Sequence, residues 1–190
     1  MNRIENLSQA LAAAIHRART AHNPAVPRTT WPWFALAGLV LLADQLSKAL
    51  IASSLMLAER IPLTSFFNLV HVLNPGAAFS FLADAGGWQR YAFSVLGIAV
   101  SVWMAREIRQ SKTSRTECFA YAMIIGGALG NVVDRVLRGA VTDFLDFHWQ
   151  GMHWPAFNFA DIAINIGVLL MLLGLWRQSR SAQARDGRPA

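Results

Sequence analysis

Residues 156–176 read AFNFADIAINIGVLLMLLGLW, an almost unbroken apolar run with one ionisable side chain, Asp161. A helix needs about 20 such residues to cross the ~30 Å hydrocarbon core of a bilayer. Pro155 precedes the run and Arg177 follows it, so it reads as a spanning helix. Its polar residues are not scattered. Asn158, Asp161 and Asn165 stand at i, i+3 and i+7, one stripe along an otherwise oily helix. Asp161 lies more than a turn inside Pro155, where a bare carboxylate costs several kcal/mol, so the stripe points to function.

Three further apolar runs lie upstream, at about 31–50, 91–105 and 118–133. The latter two fall short of a full crossing unless their polar flanks sit at the interface: Trp88, Gln89 and Arg90, or Asp134 and Arg135. Composition agrees with four spans. The chain is 54% hydrophobic and 15% charged, whereas a soluble domain carries about 25% charged residues.

The basic residues orient the spans. Arg3, Arg17, Arg19 and Arg28 precede the first; Arg106, Arg109, Lys112 and Arg115 separate the second and third; Arg177, Arg180, Arg185 and Arg188 follow the fourth. Alternating helices put all three blocks on one side, and the positive-inside rule makes that side cytoplasmic. Both termini are then inside, and segments 51–90 and 138–155 face outward. The net charge of +6 is thus distributed for an anionic membrane surface and not for nucleic acid.

The residues before Trp31 hold no continuous apolar core and so do not read as a secretory signal. Ile4, Leu7, Leu11 and Ile15 recur at helical spacing, which fits an amphipathic surface helix or a solvated tail. The outward segment 61–73 mixes Phe66, Phe67, Val70 and Val72 with polar residues before Asn74-Pro75-Gly76, a pattern of short strands and a turn. Trp88, Trp149 and Trp154 fall where interfacial aromatics belong. Cys118, the single cysteine, allows no internal disulfide and reads as a small packed residue.

Other polar residues also stand at membrane depth. Asp44 and Lys48 in the first span are i,i+4 with the acid first, the order that favours an ion pair. In the third span, Gly126 and Gly130 form a small-xxx-small face for close helix approach, with Asn131 and Asp134 beside it. Asp143 and Asp146 lie in the outward segment before the fourth span. Two carboxyl groups brought together away from water share a proton and can act on a water molecule as base and acid. Proton-coupled transporters use the same residue types, so paired acids leave two classes open.

Five blocks together resemble the lipoprotein signal peptidase (signal peptidase II) family. They are Asp44-Gln45-Leu46-Ser47-Lys48, Asn74-Pro75-Gly76-Ala77-Ala78-Phe79-Ser80, the run from Gly126 to Arg135, Val141-Thr142-Asp143-Phe144, and Phe157-Asn158-Phe159-Ala160-Asp161. The resemblance implies an all-α polytopic membrane protein: four transmembrane helices with a small extracytoplasmic β-rich cradle and loop. It implies an inner-membrane aspartic endopeptidase, without metal or other cofactor, that cuts prolipoproteins just before a diacylglyceryl-modified cysteine. Asp143 and Asp161 would be the catalytic pair. Asn74, Gly76, Asn131, Arg135 and Asn158 would line the site and hold substrate, with Asp44 and Lys48 in support. The peptidase domain would span 31–178, with its outer cradle at 55–87, between a tail at 1–30 and a basic tail at 179–190. Expected partners are prolipoproteins and membrane lipid, and the chain is expected to act as a monomer.

The residues weigh against the rivals. His148 and His153 are i,i+5, not the i,i+4 pair of a helical zinc site. Ser47 and Lys48 are adjacent and point about 100° apart on a helix, a poor dyad. A transporter finds no paired halves or inverted repeat in this chain. Asp134 competes with Asp143 as the partner of Asp161. Arg135 beside it and Arg138 at i+4 give Asp134 cationic partners, and an acid pinned in its charged form is a poor proton shuttle. Asp143 has no Lys or Arg within four residues.

Overall fold

The computed structural model describes residues 29–76, 86–110 and 113–185, with side chains through residue 180. Helix α1 (Trp31–Ser54) leads into strands β1 (Arg60–Pro62) and β2 (Phe67–Asn74). Helices α2 (Gln89–Ile108) and α3 (Arg115–Arg138) follow, then strands β3 (Val141–Trp149) and β4 (Met152–His153), and helix α4 (Phe159–Arg185). All four helices are long and apolar enough to cross a membrane. The segment carrying Ile4, Leu7, Leu11 and Ile15, residues 77–85 of the expected cradle, Lys112 and Arg188 lie outside the described residues.

The helices are built inside out relative to a soluble bundle. On α1 the buried positions are Ala37, Val40, Asp44, Lys48 and Ile51, a helical stripe that includes an acid and a base. Leu39, Leu42, Leu46 and Leu50 are exposed on its outer side. In lipid that outer face is solvated by acyl chains, so helix contact rests on close packing and polar bonds.

Helix α3 is the centre, packing against α1, α2 and α4, while α2 and α4 make no extensive contact. Over half of its central stretch, 56%, is buried, against at most 28% in the other spans. That explains its modest hydropathy: a helix surrounded by protein need not be oily. The glycines set the approach. A Cβ on Gly126 would stand 2.6 Å from Ala37 O on α1, and one on Gly127 would stand 2.5 Å from Ala160 O on α4. One on Gly130 would run into the Asp44 carboxylate. The ends of α3 are defined locally. Ser114 and Glu117 form a capping box, with Glu117 N donating to Ser114 Oγ at 3.2 Å and Ser114 N to Glu117 Oε2 at 2.7 Å. Gly139, at φ 81°, closes the helix in the left-handed conformation that suits glycine. Both α2 and α3 extend beyond their apolar runs.

The strands form one antiparallel sheet in the order β1-β2-β3-β4, at the end of the bundle where α1 ends and α4 begins. The expected strands of the first loop are present, but their main partner, β3, comes from 141–149, which the sequence had shown only as an acidic outward stretch. Register pairs Asn68 with Asp146, Val72 with Asp143 and Asn74 with Val141, with a shift between Leu69 and Val72. Asp143 and Asp146 are three residues apart and so point to opposite faces. Asp146 faces away from the helices' polar network. It accepts from Asn68 Nδ2 at 2.7 Å, pairs with His153 Nδ1 at 2.8 Å and lies 3.8 Å from Arg60 Nε. Burial alone would raise its pKa, but these hydrogen bonds and charges outweigh it and hold the carboxyl below the usual range.

Candidate active site

Helix α4 begins with a reciprocal cap. Asp161 N donates to Asn158 Oδ1 at 3.1 Å, and Asn158 N donates to Asp161 Oδ2 at 3.2 Å. A short polar side chain before the helix and an acid in its first turn suit the unpaired N–H groups and the positive end of the helix dipole. The same motif therefore starts the helix and fixes the Asp161 carboxylate. Its other oxygen, Oδ1, accepts from Asn131 Nδ2 on α3 at 2.9 Å.

A buried cation sets the orientation of Asn131. Lys48 Nζ donates to Asn131 Oδ1 at 2.9 Å, which turns the amide oxygen toward α1 and the NH₂ toward Asp161. Lys48, with no exposed side-chain surface, also lies 2.9 Å from Asp44 Oδ2 and 3.2 Å from Asp134 Oδ2. Asp44 Oδ1 accepts from Ala160 N at 2.9 Å, tying α1 to the first turn of α4. The expected Asp44–Lys48 ion pair is thus one part of a network joining three helices.

Asp143 arrives from β3 and is only 3% exposed. Asn74 Nδ2 of β2 donates to its Oδ2 at 3.0 Å, and Asn158 Nδ2 donates to its Oδ1 at 2.7 Å. Asn158, fully buried, therefore binds both acids, one through its side chain and the other through its backbone. Burial, and then the nearby charge of Asp161, raise the Asp143 pKa to about 7, against the opposing pull of Asn74, Asn158 and Lys48.

Asp134, the rival acid, is fully buried and turned toward α1. It pairs with Lys48 and Arg138, accepts from Thr142 N at 2.9 Å and from Gln45 Nε2 at 3.3 Å, and does not border the cavity described below. Arg135, its neighbour in sequence, points the other way. Its Nη2 donates to Gly76 O at 2.7 Å and its Nη1 to Asn131 O at 3.3 Å, while the buried Nε has no hydrogen-bond partner among the described residues. Gly76 N in turn donates to Asn74 Oδ1 at 3.0 Å, so Gly76 is held against the site. Sequence reasoning missed Gln45, Thr142 and the Ala160 amide. All three lie within the blocks named above, but which side-chain oxygens the Thr142 and Ala160 backbone N–H groups reach left no sequence signal.

Both Asp143 and Asp161 border a cavity of about 720 Å³ between α2 and α4, floored by α3. Asn74, Asn131 and Arg135 share its polar end, and Phe93, Leu96, Val100, Ile124 and Ala128 line its apolar walls. Trp154 through Phe157 close one side. The serine alternative is not assembled. Ser47 Oγ donates back to Asp44 O at 2.8 Å while Lys48 points into the acid network. Among the described residues, no three His, Cys, Asp or Glu side chains gather at metal-binding spacing.

Three apolar helices packed around a fourth, α3, a small sheet at one end and two hydrogen-bonded carboxyl groups at a helix-lined cavity define a polytopic membrane protein with a two-acid site. The chain belongs to the signal peptidase II family: the family model described as "Signal peptidase (SPase) II" matches residues 36–177. It is thus an aspartic peptidase of the bacterial membrane, and the transporter reading finds no support. The chain is 48% identical over 159 residues to the lipoprotein signal peptidase of Cupriavidus necator, a match covering 84% of this chain and 91% of that one. It is 50% identical over 141 residues to the lipoprotein signal peptidase of Janthinobacterium sp., covering 74% and 86%. A solved bacterial membrane enzyme, determined in meso at 2.3 Å, matches with TM-score 0.69 and 28% identity over 78% of this chain and 89% of that chain.

Proposed function

We propose that the protein removes signal peptides from prolipoproteins, cutting just before a diacylglyceryl-modified cysteine, with Asp143 and Asp161 as the catalytic pair. The observation that carries this reading is the shared ligation of the two carboxyl groups. Asn158 bonds both, at 2.7 Å and 3.2 Å, and both border one cavity.

With a pKa near 7, Asp143 holds a proton at or below neutral pH. Asp161 sits in the first turn of α4, where Asn131 Nδ2 and Asn158 N donate to its two carboxylate oxygens. A water between them loses a proton to Asp161 as its oxygen attacks the scissile carbonyl carbon. Asp143 gives its proton to the carbonyl oxygen, and a tetrahedral diol forms. The proton on Asp161 then passes to the leaving nitrogen as the C–N bond breaks, one hydroxyl proton returns to Asp143, and the products are a carboxylic acid and a free amine. Asn74 and Asn158 hold Asp143, Asn131 holds Asp161, and the unpaired Arg135 Nε at the polar end of the cavity receives a substrate backbone carbonyl. Asp44 and Lys48 set Asn131, and Gly76 is held by Arg135.

The gap between α2 and α4 opens the cavity sideways, where acyl chains reach it from the bilayer. Each buried CH₂ contributes about 0.8 kcal/mol, so the lipid should dominate recognition. The test compares one precursor peptide with and without its diacylglyceryl group, using purified protein in detergent. The lipidated form should be cut with kcat/KM higher by about 100-fold or more; equal turnover of the bare peptide contradicts the reading. We further place the site near the periplasmic face with both termini cytoplasmic, on the distribution of Lys and Arg.

A further inference from the structure

The polar stripe of α4 has a third member that the chemistry above leaves unused. Asn165 stands one turn beyond Asp161, about 6 Å further along the helix axis, and is exposed on the wall of the same cavity. Around it the cavity is apolar, with Leu96, Val100 and Ile124 on the facing helices. Asn165 Nδ2 donates to Asp161 O at 2.8 Å, which pins the carboxamide against its own helix. That bond uses one of the two Nδ2 hydrogens. The second is left for whatever fills the cavity, and an amide donor left bare against hydrocarbon is costly.

We propose that Asn165 is a specificity-determining residue for the lipid part of the substrate, its second Nδ2 hydrogen donating to an ester carbonyl of the diacylglyceryl group. The inference rests on the prolipoprotein reading above. Ester oxygens accept and cannot donate, so they match an N–H. The depth also matches. About eight covalent bonds separate the scissile carbon from the nearer ester carbonyl carbon, through the cysteine Sγ, an extended reach of about 10 Å. A partly folded linker covers the rise from Asp161 to Asn165. The carboxamide would thereby fix how far the glyceryl group descends and hold the peptide bond level with the two acids.

The test uses two synthetic precursors alike except at the glyceryl group, one a diester and one a diether that lacks both carbonyls. Each is cut by the wild-type protein and by Asn165→Leu, which keeps the volume and removes the donor. The expected result is a ratio of diester to diether kcat/KM that is lower in the variant by about fivefold, the size of one neutral hydrogen bond, expressed mainly in KM. Because both substrates meet the same preparation, partial unfolding cancels from the ratio, and Asn165→Ala supplies a second reading of it. An unchanged ratio in both variants overturns the inference. A wild-type protein that cuts neither precursor contradicts the proposed function instead.

Discussion

At the scale of single residues, the proposed site gives two identical side chains different surroundings. Asp161 takes a helix N-terminus and an amide whose orientation Lys48 dictates. Asp143 takes a strand, near-complete burial and the repulsion of Asp161, which bring it to about 7. The sign of the pH effect follows. Asp143 is protonated below about 7 and ionised above it, and the proposed chemistry needs one proton on the pair. The expected kcat/KM therefore falls on the alkaline side, approaching tenfold per pH unit well above 7; a profile rising through pH 8 would remove Asp143 from the proton-sharing role. The same shift links to stability. A carboxyl with a raised folded-state pKa contributes stability that is fully present below its unfolded value of 3.8 and is lost as pH rises through about 7. Sequence spacing made Asp161, Asn158 and Asp44–Lys48 legible, because helical periodicity places residues on faces. It could not show that Asn158 reaches both acids, since one of its bonds crosses from a helix cap to a strand.

At the scale of elements, α3 and β3 carry the arrangement, and they were the two least legible in the sequence. Helix α3 looked short because hydropathy measures affinity for lipid, and its neighbours are protein. Strand β3 has an acid on each face, so the apolar alternation that marks a half-buried strand is interrupted. Both acids are satisfied by distant residues, Asn74 and Asn158 on one side, Asn68 and His153 on the other. The close approach of α4 to α3 is the feature most open to test. In Gly127→Ala the added methyl meets the backbone oxygen of Ala160 at 2.5 Å, which cannot rotate away, so the first turn of α4 must move and Asp161 with it. The expected cost is about 1–3 kcal/mol, read as lower thermal stability in detergent together with lower turnover. Gly38→Ala is the control, since nothing lies within 4 Å of its added Cβ. That variant should be as stable as the parent or slightly more so. Equal behaviour of the two variants would mean that the α3–α4 contact is not what positions Asp161.

At the scale of the whole molecule, both proposed catalytic acids lie at the sheet end of the bundle, beside the ends of α1 and α3 and the start of α4. Arg106, Arg115 and Arg177 stand toward the opposite ends of α2, α3 and α4, the side proposed above to be cytoplasmic. Reporters fused near Gln150 should therefore read outside and those near Ser111 inside; an inside signal at Gln150 would put Asp143 in the wrong compartment. The central claim is that Asp143, and not Asp134, works with Asp161. Asp134 is locked between Lys48 and Arg138 away from the cavity, so Asp134→Asn should act through stability or yield, with activity left in the folded fraction. The direct measurement is single-turnover cleavage of a diacylglyceryl-modified precursor by purified Asp143→Asn, Asp161→Asn and Asp134→Asn proteins, each first shown to be folded by thermal unfolding in detergent. The account predicts folded but inactive protein for the first two and residual cleavage for the third. An active Asp143→Asn beside a folded, inactive Asp134→Asn would contradict it.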